Sequence, residues 1–223
     1  MKAPILVVLT LVMLAGHVDG ARAQSGESAS EQADKALAVA LWQVAAATHT
    51  RIGFQSVETI SSMSGMYRHP QAATVSSIED ALDSAIAANP RYEWHRAGSF
   101  VVVRPTDAWN DAADPFNRPV HHFRAERTNE SNVLHGVSKL IETGTYQEAP
   151  LSGTPVDFTV ESGTLIDVLN TLAESAEIAF WQVGWAPHDH GQRLSLSLTL
   201  VNERHLRAFI HRPSIPAVRG RAN

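Results

Sequence analysis

The chain has 223 residues, a net charge of −5 and no cysteine. That acidic balance, with no Gly-rich phosphate loop to offset it, argues against nucleic acid and anionic membrane surfaces as partners. The missing thiols exclude disulfides and a lipid anchor on cysteine, so stability has to come from apolar burial.

Lys2, the apolar run from Ile5 to Ala15 and the triplet Ala21-Arg22-Ala23 read as a signal peptide over 1–23, cleaved after Ala23. The run is shorter than the roughly 20 residues of a spanning helix, and no later segment is apolar enough to span. Its removal leaves 16 basic and 22 acidic residues, a net charge of −6. The mature product is expected to be exported and soluble, with residues 24–33 as a flexible polar leader.

Leu37, Ala40, Leu41, Val44 and Ala45 recur at helical spacing and predict a first helix from about Asp34 to Thr48. Ile52 to Val57 reads as a strand, and Ala72 to Val75 as a second short one. Ser76 or Ser77 caps a second helix whose early Glu79 and Asp80 complement the helix dipole, and Asn89-Pro90 stops it. Arg91 to His95 and Phe100 to Arg104 then form a hairpin. The Pro-, Asp- and Asn-rich segment 106–119 reads as a linker between a module over 34–105 and a second over 120–202.

In the second module, Val120 to Phe123 predicts a strand. Thr128 or Asn129 caps a helix carrying Val133, Leu134, Val137, Leu140 and Ile141. Strand Val156 to Val160 and a helix from about Gly163 to Ser175 follow, then a hairpin of Ile178 to Val183 and Leu194 to Val201. Residues 203–223 read as a basic, flexible tail. The fold class expected is α+β: two small related modules, each with helices on an antiparallel-rich sheet. The relation is an internal repeat, because Asp80, Leu82 and Trp94 fall on Asp167, Leu169 and Trp181 at one constant offset of 87.

Leu37-x-x-Ala40-Leu41-x-x-Val44-Ala45 before Ile52, and Ser77-Ile78-Glu79-Asp80-Ala81-Leu82-Asp83 before Tyr92, Trp94 and Val101 to Val103, resemble the secretin and TonB-receptor short N-terminal (STN) domain. The resemblance covers about a third of the chain. It departs from the family at His49 and Asn89-Pro90, where glycine is usual, in a long middle loop, and in the absence of a following barrel or secretin ring. It implies a small βαβ-type periplasmic module that engages other proteins, and it implies neither which ones nor any catalysis. No cofactor is expected, and the partner expected is an envelope protein of an outer-membrane transport, secretion or signalling system.

Trp94, Trp181, Trp185 and Leu198 are the candidate partner-binding residues, since tryptophan is enriched at interaction hot spots; core packing is the competing role for the tryptophans. His188 and His190 are the candidate metal ligands, with His121 and His122 as distant partners; a solvated loop is the simpler reading. Glu79, Asp80 and Asp83, or Glu203 with His205, are the only carboxylate groupings suited to acid–base work, and no nucleophile motif accompanies them. Asn129-Glu130-Ser131 matches a glycosylation acceptor, and a helix cap explains Asn129 equally. The leading expectation is an exported protein-binding or assembly module. Its rivals are a metal-binding protein or hydrolase built on the His-rich loops, and a homodimer formed through the edge of the Leu194 to Val201 strand.

Overall fold

The computed structural model describes residues 28–57, 77–140, 145–147, 155–187 and 194–202, with backbone alone at 145–147, 185–187 and 194–202. The signal peptide, the Ala72 to Val75 strand, the His188/His190 loop and the basic tail lie outside the described residues. The fold is α+β, with a six-stranded mixed sheet and a two-stranded antiparallel ribbon.

Helix α1 (Ala29–Thr48) starts before the apolar periodicity does, because Ser28 caps it by accepting from the Glu31 N–H at 3.0 Å. Lys35 pairs with Glu31 at 3.4 Å, so residues assigned to a flexible leader form the polar first turns of the helix. The helix ends at His49, which takes the left-handed conformation (φ 54°) that glycine adopts without the Cβ penalty. Strand β1 (Arg51–Gln55) follows, then α2 (Ile78–Ala87), capped by Ser77 through the Asp80 N–H at 3.0 Å. Strands β2 (Tyr92–Ala97) and β3 (Phe100–Pro105) form a hairpin with Gly98 at φ 62° in the turn. A positive φ at the first position of a two-residue turn matches the right-handed twist of the strands.

Beyond the 106–119 segment come β4 (Pro119–Thr128), α3 (Glu130–Leu140), β5 (Thr145–Gln147) and β6 (Val156–Thr164). Asn129 Oδ1 accepts from the Asn132 N–H at 2.9 Å at the start of α3. Helix α4 (Leu165–Ser175) opens with a capping box between Thr164 and Asp167, and β7 (Ile178–Pro187) and β8 (Leu194–Asn202) close the chain's described part.

The sheet order is β2-β3-β1-β7-β8-β5. Strand β1 runs parallel to both of its neighbours and β5 runs parallel to β8, so the sheet is mixed where the sequence suggested mainly antiparallel pairing. The parallel β1·β7 pair joins the two halves of the chain into one sheet. Each half contributes the same arrangement. An antiparallel hairpin (β2·β3, β7·β8) has a further strand laid parallel to its second member (β1 on β3, β5 on β8).

The correspondence at offset 87 extends to bonds. Ser77 and Thr164 are both caps; Asp83 and Asn170 accept from the indoles of Trp94 (2.8 Å) and Trp181 (3.0 Å). Helices α1 and α2 cover one face, packing with Ile52, Phe54, Val101, Val103 and Phe180. Helices α3 and α4 and the β4·β6 ribbon cover the other, with Phe100, Val102, Trp181 and Val183. The second unit is thus the first turned half-way round an axis across the strands, which reverses strand direction and exchanges faces.

The expected linker is not a solvated tether. Two 3₁₀ turns (Thr106–Trp109 and Pro115–Asn117) fold it onto the α4 face, where Phe116 is fully enclosed. Arg104, 1 % exposed, fixes it there: Nε donates to Gln55 at 2.7 Å, Nη1 to Asn117 at 2.7 Å, and Nη2 lies 3.3 Å from Asp114. Burial pulls the Arg104 pKa below its ordinary value, and the Asp114 carboxylate opposes that shift.

Candidate interaction edge

Strand β2 ends the sheet on one side, and among the described residues no strand pairs with its outer edge. The hairpin geometry fixes which backbone groups face outward. The Thr106 N–H donates to the Arg91 carbonyl at 2.9 Å, so by antiparallel alternation Glu93 and His95 turn their backbone groups to β3. Trp94 and Arg96 turn theirs to the open side. The equivalent position in β7 shows the same groups in use: the Val183 carbonyl, 87 residues after Arg96, accepts from Ser56 at the end of β1 at 2.8 Å.

The side chains along β2 are polar around one aromatic. His95 and Arg96 are exposed, while Glu93 and Trp94 are half-buried. Arg96 pairs with Glu79 of α2, which holds the Glu79 carboxyl below its usual pKa. The ring of His95 stacks on Trp109 at 4.0 Å. Trp94 is tied to α2 through Asp83 and packs against the same core that Ile78, Ala81 and Ala85 of that helix meet. Charged side chains on an edge strand discourage indiscriminate pairing. The start of β2 is held from below by fully buried Asp34 of α1. Its carboxylate accepts from Tyr92 (2.6 Å), Arg91 (2.7 Å) and Asn89 (3.0 Å).

Of the candidate partner-binding residues, Trp94 lies on this edge. Trp181 does not face a partner: it is 0 % exposed in the middle of the sheet, its ring lying over Gly53 and its indole bonded to Asn170. The physical reason is that β1 covers the side of β7 that β2 leaves open. Trp185 is on β7, paired in register with Leu196. Leu198 is on β8, paired with Val183 on one side and Gln147 on the other. Strand β8 therefore lies between β7 and β5, and the edge expected to form a homodimer pairs with β5 from Leu196 to Leu198.

The candidate metal ligands do not converge within the described residues. His188 and His190 lie outside them; His121 and His122 are both exposed, and His122 contacts Glu161 at 2.8 Å. Among the described residues no group of three His, Asp or Glu side chains is placed to hold a metal ion. The Asp83 carboxylate bonds Trp94 and the Glu79 carboxylate pairs with Arg96, so these two anchor strand to helix, while the Asp80 backbone N–H completes the cap of α2.

Sequence reasoning missed the Asp34 and Arg104 clusters. A signal existed for both: an aspartate on the apolar stripe of α1 three residues before Leu37, and an arginine at the end of the buried run Phe100 to Val103. A charge on a buried face has to be partnered.

No described helix is long and apolar enough to cross a membrane. No family model, curated protein or solved structure matches the chain.

Proposed function

We propose that this protein is an exported, non-enzymatic binding or assembly module of the Gram-negative periplasm, serving an outer-membrane transport, secretion or signalling system. The observation that carries the reading is the outer edge of β2, which no strand among the described residues covers. It offers the backbone groups of Trp94 and Arg96 at the place where the second unit's β7 receives β1. Strand addition at such an edge gives affinity through the main chain and selectivity through alternate side chains. The STN-like motifs of the first half support the envelope setting, and the signal-like N-terminal sequence supports export.

The test is crosslinking in the native host followed by recovery of the tagged chain and mass spectrometry, with wild type and Arg96→Pro compared. Proline removes the outward N–H without touching the β3 ladder. The expected result is a receptor, secretin or signalling protein recovered with wild type and lost with the variant. Equal recovery by both would overturn the edge as the binding element.

A further inference from the structure

We propose that the β2 edge accepts an extended segment running parallel to it, with a glycine opposite Trp94 and a basic residue immediately before that glycine. This rests on the protein-binding reading and adds the chemistry of the ligand.

The template is inside the molecule. Strand β1 lies on β7 in parallel register, Ile52 beside Phe180, Gly53 beside Trp181 and Phe54 beside Gln182. The Trp181 ring extends sideways across β1, so that a Cβ on Gly53 would stand 2.1 Å from its Cζ2 atom. Only glycine fits beneath it. Trp94 occupies the matching place on β2 and is tethered to α2 as Trp181 is to α4, each indole bonding the side chain 11 residues earlier. With the same tether and the same strand position, its ring overhangs the open edge. A segment adding there meets the same restriction.

The flanking positions differ, and they set the rest of the ligand. Transferring the β1·β7 register by 87 residues places the residue before the glycine beside Glu93 and the residue after it beside His95. A half-buried carboxylate favours a cation in the first place. The His95–Trp109 stack offers an aromatic surface to the second. The internal strand has Ile52 and Phe54 at these positions because its neighbours there are Phe180 and Gln182.

The probe is a fluorescent peptide copying Thr50 to Ser56 with arginine in place of Ile52, titrated by anisotropy against the mature full-length chain. Its competitor carries valine in place of Gly53. Wild-type protein should bind the glycine peptide about tenfold or more tightly than the valine peptide, a steric discrimination. Trp94→Ala should bind the two within about twofold, because the overhang is gone. No binding of the glycine peptide, equal binding of both, or discrimination that survives Trp94→Ala would each overturn the proposal. If the peptide fails while Arg96→Pro still loses its envelope partner in cells, the ligand chemistry falls and the module reading stands. Sedimentation supplies the remaining arm. A concentration-dependent oligomer that Arg96→Pro converts to monomer would assign the edge to a second copy and overturn the proposal.

Discussion

Strands β2 and β7 are the same strand used in two ways. Each follows a capped helix and pairs antiparallel with its successor, and each carries a tryptophan bonded back to that helix. In β7 the tryptophan sits in Phe180-Trp181-Gln182-Val183, with β1 on its outer side; in β2 it sits in Glu93-Trp94-His95-Arg96, with no described strand on that side. The shared tryptophan therefore belongs to the unit's internal architecture, tying helix to strand. Its neighbours decide whether the strand becomes a centre or an edge. Apolar neighbours gain from a covering strand, whereas charged ones remain hydrated and select what is allowed to pair.

The comparison breaks first at the tryptophans themselves. Trp181→Ala removes a fully enclosed indole and leaves a cavity together with an unpaired Asn170 carbonyl; the expected loss is about 4 kcal/mol. Trp94→Ala removes a half-buried ring at the edge, and about 1 kcal/mol is expected. Urea unfolding of the two variants measures the gap. Equal losses would mean that the edge tryptophan is as much a core residue as its counterpart, and the contrast drawn between the strands would fail.

A smaller effect probes the junction that turns one unit's edge into the other's centre. Gly53→Ala places a methyl group 2.1 Å from the Trp181 ring, which is fully enclosed. Overpacking of this kind costs about 2–3 kcal/mol. Thermal unfolding of Gly53→Ala in the wild-type and Trp181→Phe backgrounds sharpens the point. A smaller ring should recover part of the loss, and an unchanged penalty would place the clash elsewhere.

Most of the local structure was legible in the residues. The capping serine Ser77, the stop at Asn89-Pro90 and the Leu alternation of β8 each mark an element through short-range physics that needs no partner. The offset of 87 was legible as well, because the helix caps and the tryptophan tethers recur at that spacing. The parallel β1·β7 pair was not, since both strands read as buried and nothing local says which buried strand adjoins which. Gly53 was the one clue, a glycine inside an apolar strand that signals a close approach. The choice between partner contact and core packing for Trp181 was not legible for the same reason: enclosure depends on the covering strand, not on the tryptophan's own neighbours. The 106–119 segment misled through composition, because its Asp114 and Asn117 are polar in order to bind buried Arg104, not to stay in water.

The weakest expected effect separates the two units at the start of their hairpins. The position equivalent to Tyr92 is Ala179, so only the first unit anchors its strand there through a buried hydroxyl. Burial, and then the bond to Asp34, push the Tyr92 phenol far above its ordinary range. In the unfolded chain the phenol releases its proton near pH 10, while the folded chain keeps it, so the unfolded state binds fewer protons above that pH. Stability from this group is complete below about pH 10 and declines as the pH rises beyond it. Tyr92→Phe should cost about 1 kcal/mol at neutral pH, because the hydroxyl both donates to Asp34 and accepts from the Val57 N–H at 2.9 Å. The same variant should lose stability less steeply than wild type between about pH 10 and 11, where the phenol no longer contributes. Denaturant midpoints at pH 7, 9, 10 and 11 check both. A variant that declines as steeply as wild type would show that Tyr92 is not the group being titrated, and the buried phenol would then carry none of the alkaline loss.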